Sequence, residues 1–265
     1  MTPYPRMILT AVAMVIISST AAFAASSQTA CSAHYADGQP PVFTNPNFAA
    51  GTRELCNEAY ANMHSRKTRT PIWGAEHLTR AHLLQAKSLR RVNSFRADER
   101  LPSADRSELQ DFARSGFDRG HICPSADAFS STSQNETFYL SNMIPQDPNN
   151  NRNLHEGIET VTRAEAKKRG DLFVVTGTLY SGKNLRSLNN RVIVPTGIYK
   201  CLYDPNSHET GCYVENNAPG MAYQVESVSA VGKLAGVNIF PSVSDSIKSK
   251  PMRLPEPRPF HKDGL

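Results

Sequence analysis

The sequence predicts an α+β fold with a mixed or antiparallel central sheet and flanking helices. Three observations lead there. Between residues 172 and 227, five short runs rich in Val, Ile, Leu, Tyr and Thr are broken by Gly, Pro, Asn and Asp, as strands and turns are. Long helical periodicity is confined to about 150–168. Strands therefore outnumber helices, and the two are mixed along the chain.

Taken in order, Arg6 precedes the apolar run MILTAVAMVII and small residues ending in Ala22-Phe23-Ala24. This reads as a secretory signal peptide over 1–24, cut after Ala24. The run is shorter than the ~20 residues a membrane span needs. The mature chain is expected to be secreted or periplasmic. No repeat or Gly/Ser linker divides it, so 25–265 is expected to form one domain, with a core over about 56–241. Residues 25–55 look irregular. Residues 58–64 and 72–79 suit a hairpin around SRKTRT, and 103–115 suits a short helix with Ser103 as N-cap and Gly116 as stop. Residues 137–142 read as a strand, followed by a helix from about 150 to 168. Strands are expected at 172–178, 191–195, 197–203, 212–216 and 221–227, then a short helix over 226–236. The Pro-rich tail, 250–265, should be extended.

The formal net charge is +5, and the leader's one Arg leaves +4 on the mature chain. A mildly basic balance permits a polyanionic partner without requiring one. Cys201 and Cys212 bracket the turn-rich DPNSHETG between two strand-like runs, a natural hairpin disulfide that would stabilise the fold by roughly 3 kcal/mol. Cys31 and Cys56 would then staple the N-terminal segment, leaving Cys123 free, although sequence alone leaves the connectivity open.

Two features carry chemistry. Asp118, Arg119, Gly120 and His121 stand together, with Cys123 two residues on. Downstream, Asn151, His155, Glu159 and Arg163 are spaced by four, which gathers them within about a third of a helix circumference. Leu154, Ile158 and Val161 form a separate apolar stripe. A polar stripe is usually a solvated face, and the asparagines at 149–151 could simply cap the helix. The same residues could instead hold a cation through an amide oxygen and a phosphate through Arg163.

The motifs DRGH (118–121), YLSN with IPQ (139–146), Asn151 and Glu159 resemble those of the DNA/RNA non-specific endonucleases. Asn142, Asn151 and Glu159 keep that family's intervals of nine and eight. The resemblance runs from about Trp73 to Phe240. It implies a ββα-metal active site that hydrolyses phosphodiester bonds of DNA and RNA without regard to sequence. By this resemblance His121 is the general base, with a near-neutral pKa suited to the task. Asn151 binds one divalent ion, Mg²⁺ with Mn²⁺ as a substitute, an ion that keeps most of its water and needs few protein ligands. Glu159 orients that water shell. Arg119 and Arg163 neutralise the transition state, and Asn142 positions the site. Gly120 permits a tight backbone approach between Arg119 and His121, and Asp118 serves as an orienting partner.

Other readings stay open at this stage. His155 stands where the family often has a large aromatic, and is either a site residue or a helix-surface group. Cys123 is either a buried inert thiol or half of a His-x-Cys zinc pair. Arg66 to Arg69, Arg80 and Lys87 to Arg91 either line a nucleic-acid groove or are ordinary surface. A homodimer and an inhibitor protein leave no mark in the sequence. The competing functions are a nucleic-acid-binding homologue without catalysis, and a zinc or redox protein built on His121 and Cys123.

Overall fold

A computed structural model describes residues 29–259, so the leader lies outside the described residues. Seven strands form one fully antiparallel sheet. In chain order its members are β1 (Thr52–Cys56), β2 (Tyr60–Ser65), β3 (Thr70–Thr79), β6 (Asp171–Leu179), β7 (Gly197–Asp204), β8 (Glu209–Asn216) and β9 (Tyr223–Glu226). Two further strands, β4 (Asp118–His121) and β5 (Met143–Gln146), make a separate antiparallel pair. The spatial order in the large sheet is β9-β8-β7-β6-β3-β2-β1.

The central strands β3, β6 and β7 are covered on both sides, which is why β6 reads as a near-continuous apolar run, while β3 and β7 bury Glu76 and Lys200 among their apolar residues. Alternation sorts their side chains. Trp73, Val175, Tyr199 and Cys201 face a core built with Tyr35, Phe240 and helix Val228–Ala235. Leu78, Leu172, Val174 and Leu202 face Leu154, Ile158 and Ala166 of the long helix. Val161 packs there partly buried, completing the expected stripe. Cys201 and Cys212 are directly opposed across β7 and β8 and form a disulfide, as do Cys31 and Cys56. Cys123 is free and buried.

The long helix begins at Pro148, with the Asp147 carboxylate accepting from the backbone N–H groups of Asn149 and Asn150. A Pro in the first turn after an Asp cap is a favourable start. Residues Asn151–His155 form a π turn, and a regular helix follows over Glu156–Arg169. It stops at Gly170, whose φ of 93° is left-handed. Arg80 then donates to the carbonyls of Lys167 and Lys168, two of the terminal acceptors the helix leaves open.

Several local expectations are corrected. Residues 137–142 are not a strand. Helix Ser131–Glu136, capped by Ser130, ends at Thr137, and Leu140–Asn142 form a 3-10 turn before β5. Asn142 holds this turn by bonding the backbone, which overrides the β-propensity of Thr137, Phe138 and Tyr139. The helix expected over 103–115 shrinks to one turn, Leu109–Phe112, with Glu108 as N-cap. Arg106 pairs locally with Glu108, and Asp111 both accepts the Glu108 N–H and pairs with the distant Arg191, so these charges fix a single turn rather than a longer helix. Residues 25–55 hold more structure than expected: a short helix, Pro46–Ala49, and the edge strand β1. The strand expected at 191–195 is only the pair Val192–Ile193. The tail does lack regular structure over 252–259, yet it is tied down. Met252 N–H donates to Thr210 O at 2.6 Å, and Tyr213 Oη donates to Pro255 O at 2.6 Å. Among the described residues, no helix is long and apolar enough to cross a membrane.

Candidate active site

Strand β4, the turn that follows it and the long helix meet in a polar cleft of about 250 Å³. Its lining includes Asp118, Arg119, His121, Asn151, Glu159 and Arg163, together with Arg91 and Glu156. The two sequence features thus converge in space.

His121 ends β4, opposite Met143. Its ring lies edge-on to Phe138, with centroids 5.2 Å apart, and close to Phe95. Its Nε2 is buried with no hydrogen-bond partner. Burial in this aromatic wall, then the positive fields of Arg91, His155 and Arg119, push its pKa down to about 3. The near-neutral value expected from sequence is therefore corrected. The ring is uncharged at neutral pH, with one lone pair available to accept a proton.

Gly120 is required by packing rather than by backbone freedom. A Cβ there would collide with the side chain of Gln146, which stands opposite Asp118 on β5 and leans toward Gly120. Arg119 lies over the Phe95 ring at 4.3 Å, and its Nε is buried without a partner. Asp118 is held by Arg152 through two bonds, of 2.8 and 2.6 Å, and accepts from Asn151 Nδ2 at 3.0 Å. Asp118 thereby orients Asn151 and leaves its amide oxygen as the atom free to ligate. A neutral oxygen donor beside the Glu159 carboxylate fits a hard cation that retains most of its water.

Arg163 is fixed by the buried Asp127 (Nη1 to Oδ1, 3.2 Å) and stands 3.7 Å from Glu159. Asn142 lies outside the cleft lining, fully buried. Its Nδ2 donates to the carbonyls of Cys123 and Thr137, both at 2.9 Å, and its Oδ1 accepts the Cys123 N–H at 3.0 Å. Two of its three side-chain bonds go to Cys123, two residues past His121, and the third ties in Thr137. His155 is buried rather than on the helix surface. Cys123 gathers no ligand set: among the described residues, the one group with metal-ligand spacing is Cys31, Glu54 and Cys56, whose cysteines form a disulfide.

Sequence reasoning missed Asp127, Glu215 and the aromatic wall of Phe95 and Phe138. None of them stands at a periodic interval from the motif. Six residues separate His121 from Asp127, and a turn rather than a regular element brings the carboxylate back.

Residues 39–246 match the family model described as DNA/RNA non-specific endonuclease. The chain belongs to that family. Nuclease 1, mitochondrial, of Schizosaccharomyces pombe is 37% identical over 58% of this chain and 52% of its own length. Nuclease EXOG, mitochondrial, of Danio rerio is 33% identical over 76% of this chain and 64% of its own. A nuclease of Nostoc sp. is 31% identical over 83% of this chain and 86% of its own. The chain thus spans half to two thirds of these mitochondrial relatives and most of the Nostoc nuclease. Among solved structures, that of the EndoG/EndoGI complex superposes with a TM-score of 0.68 at 27% identity, covering 73% of this chain and 88% of that one.

Proposed function

We propose that this non-specific endonuclease family member is a metal-dependent phosphodiester hydrolase acting on DNA and RNA. The observation that carries the reading is His121. It is neutral, its Nε2 is unpartnered, and it stands in a cleft with Asn151, Glu159 and guanidinium groups on several sides. That set can take a proton from water and stabilise a charged phosphate at once.

In this reading the phosphodiester enters between Arg119, Arg163 and Arg91. Water attacks phosphorus while its proton passes to the His121 ring, and the opposite P–O bond breaks. A divalent ion held at Asn151, Mg²⁺ with Mn²⁺ able to replace it, would supply charge stabilisation at the scissile phosphate and the leaving oxygen. Glu159 hydrogen-bonds the ion's water shell, and Asp118 fixes the ligand amide. Asn142 clamps the backbone of His121. Arg119 and Arg163 neutralise the developing charge. Phosphate contacts carry no base information, so cleavage should be largely sequence-independent and binding should weaken with salt.

We also infer that 25–265 acts as one domain, a reading favoured by the single sheet spanning residues 52–226. Export to a periplasm or the medium is supported by the leader-like start and by two disulfides, which persist in oxidising compartments. The test is cleavage of supercoiled plasmid and single-stranded RNA with Mg²⁺, with EDTA, and by His121→Ala. Metal-dependent loss of both substrates, abolished in the variant, is expected. Robust cleavage by the variant would overturn the base assignment. Salt-sensitive binding without cleavage by the wild type would favour a non-catalytic homologue.

A further inference from the structure

Directly behind the cleft lies a buried pair that the chemistry above leaves unused. His155 is 1% exposed and Glu215 is 4% exposed. His155 stands one turn before Glu159 on the long helix, whereas Glu215 comes from β8 in the large sheet. His155 Nδ1 bonds Glu215 Oε1 directly. The other ring nitrogen, Nε2, has no hydrogen-bond partner and faces Glu159 Oε1 at 3.5 Å. Glu215 is itself held, since its Oε2 accepts from Asn150 Nδ2 at 3.0 Å. Asn150 Oδ1 in turn accepts from Gln146 Nε2 at 2.7 Å.

This arrangement selects one charge state. A neutral imidazole donates from only one nitrogen. If Nδ1–H served Glu215, the Nε2 lone pair would face a Glu159 oxygen, and two electron-rich atoms would meet in a buried setting. The imidazolium donates from Nδ1 to Glu215 and turns the positive Nε2–H side of the ring toward Glu159 at 3.5 Å. It also gives Glu215 the positive partner that a buried carboxylate needs. Burial opposes charge on the ring, but Glu215 and then Glu159 outweigh it, while Lys200 on β7 opposes them, so the His155 pKa is raised. His121 also lies close enough to feel the ring, and its own pKa is lowered in part by His155.

We propose that the His155–Glu215 pair is a positioning device for Glu159. It holds that carboxylate from behind at the orientation the cleft uses, while Arg163 holds it from the other side. Neither His155 nor Glu215 touches substrate in this scheme, and both act through Glu159. The consequence for turnover rests on the nuclease reading, whereas the geometry does not.

The experiment uses Glu215→Gln, which keeps shape and removes charge. In the full-length protein kcat on plasmid should fall by about 10- to 100-fold, the usual cost of losing a partner behind a metal site. KM should stay within about twofold, because the phosphate-facing arginines are untouched. In a Glu159→Gln background the same substitution should cost nothing further, since both changes would break one device. A second readout needs neither metal nor turnover. In ¹⁵N-histidine-labelled, metal-free protein, both His155 ring nitrogens should report as protonated at pH 7, and Glu159→Gln should shift Nε2. That measurement stands even if Glu215→Gln does not fold. Unchanged kcat, additive losses in the double variant, or a neutral His155 ring would each overturn the proposal. Absence of metal-dependent cleavage by the wild type would instead sink the nuclease reading, and the ring signals would still decide the geometry.

Discussion

The two faces of the large sheet are made by the same strands and do opposite work. On one face Trp73, Val175 and Tyr199 bury apolar surface with no charge among them. On the other, alternate residues of the same strands bring Glu76, Thr176 and Lys200 into the interior, where Lys200 Nζ donates to Thr176 Oγ1 at 2.6 Å. Asp127, His155 and Glu215 join them from neighbouring elements. Buried charges cost desolvation and rarely stabilise a fold. Two of them act directly on the cleft, Asp127 by bonding Arg163 and His155 by facing Glu159. Strand alternation lets one sheet be an apolar slab on one side and a polar scaffold on the other, so stability and reactivity can be perturbed separately.

The sharpest way to break this contrast is on the cleft side. His121→Ala should lower cleavage by about 10²- to 10⁴-fold, the worth of a general base, in a protein that remains folded at the assay temperature. Plasmid assays beside a thermal melt would check both parts. On the apolar side, Trp73→Ala should do the reverse. It should cost about 3–5 kcal/mol of stability by urea unfolding, with activity per folded molecule retained. Cys201→Ser with Cys212→Ser should cost roughly 3 kcal/mol, read the same way. Equal activity loss per folded molecule in these variants would blur the division between the faces.

The smallest expected effect is the pH dependence that His121 contributes from the cleft side. The unfolded chain protonates His121 near 6.5, while the folded protein holds it to about 3. The unfolded state therefore binds more protons across that window, and stability falls as pH drops below 6.5. At pH 5 this one group should remove about 1–2 kcal/mol relative to pH 7. Melts of the wild type and His121→Ala at both pH values would show a smaller acid loss in the variant. His155 runs the other way, because its raised pKa lends stability below 6.5 that is lost as pH climbs through the folded value.

Much of this was legible in the residues. The buried strands announce themselves as apolar runs bounded by turn formers. The spacing from DRGH to Asn151 and Glu159 marked residues that the fold gathers, because one strand and one helix carry them, while Asn142 stands behind them in the turn before β5. What escaped depended on contacts between distant segments. Thr137 to Tyr139 have strand propensity, yet the Asn142 side chain fixes the turn that follows them. The His121 pKa is set first by burial against Phe138 and Phe95 and then by Arg91 and His155, all distant in sequence, with only Arg119 coming from its own strand. Glu215 lies sixty residues from His155, beyond the reach of any periodicity.

The π turn at Asn151–His155 has an evolutionary corollary. Such a turn is the trace of one residue too many for a regular helix. Excising a single residue there would leave Asn151 and Glu159 seven apart in ordinary winding, only about 20° out of line, whereas an unbroken regular helix would set the present interval of eight about 80° apart. The π turn thus lets a helix with one residue too many still present its amide and its carboxylate to one cleft. A lineage that lost one residue here would keep that pairing, and what it would disturb is the turn itself, with the buried Leu154 and His155.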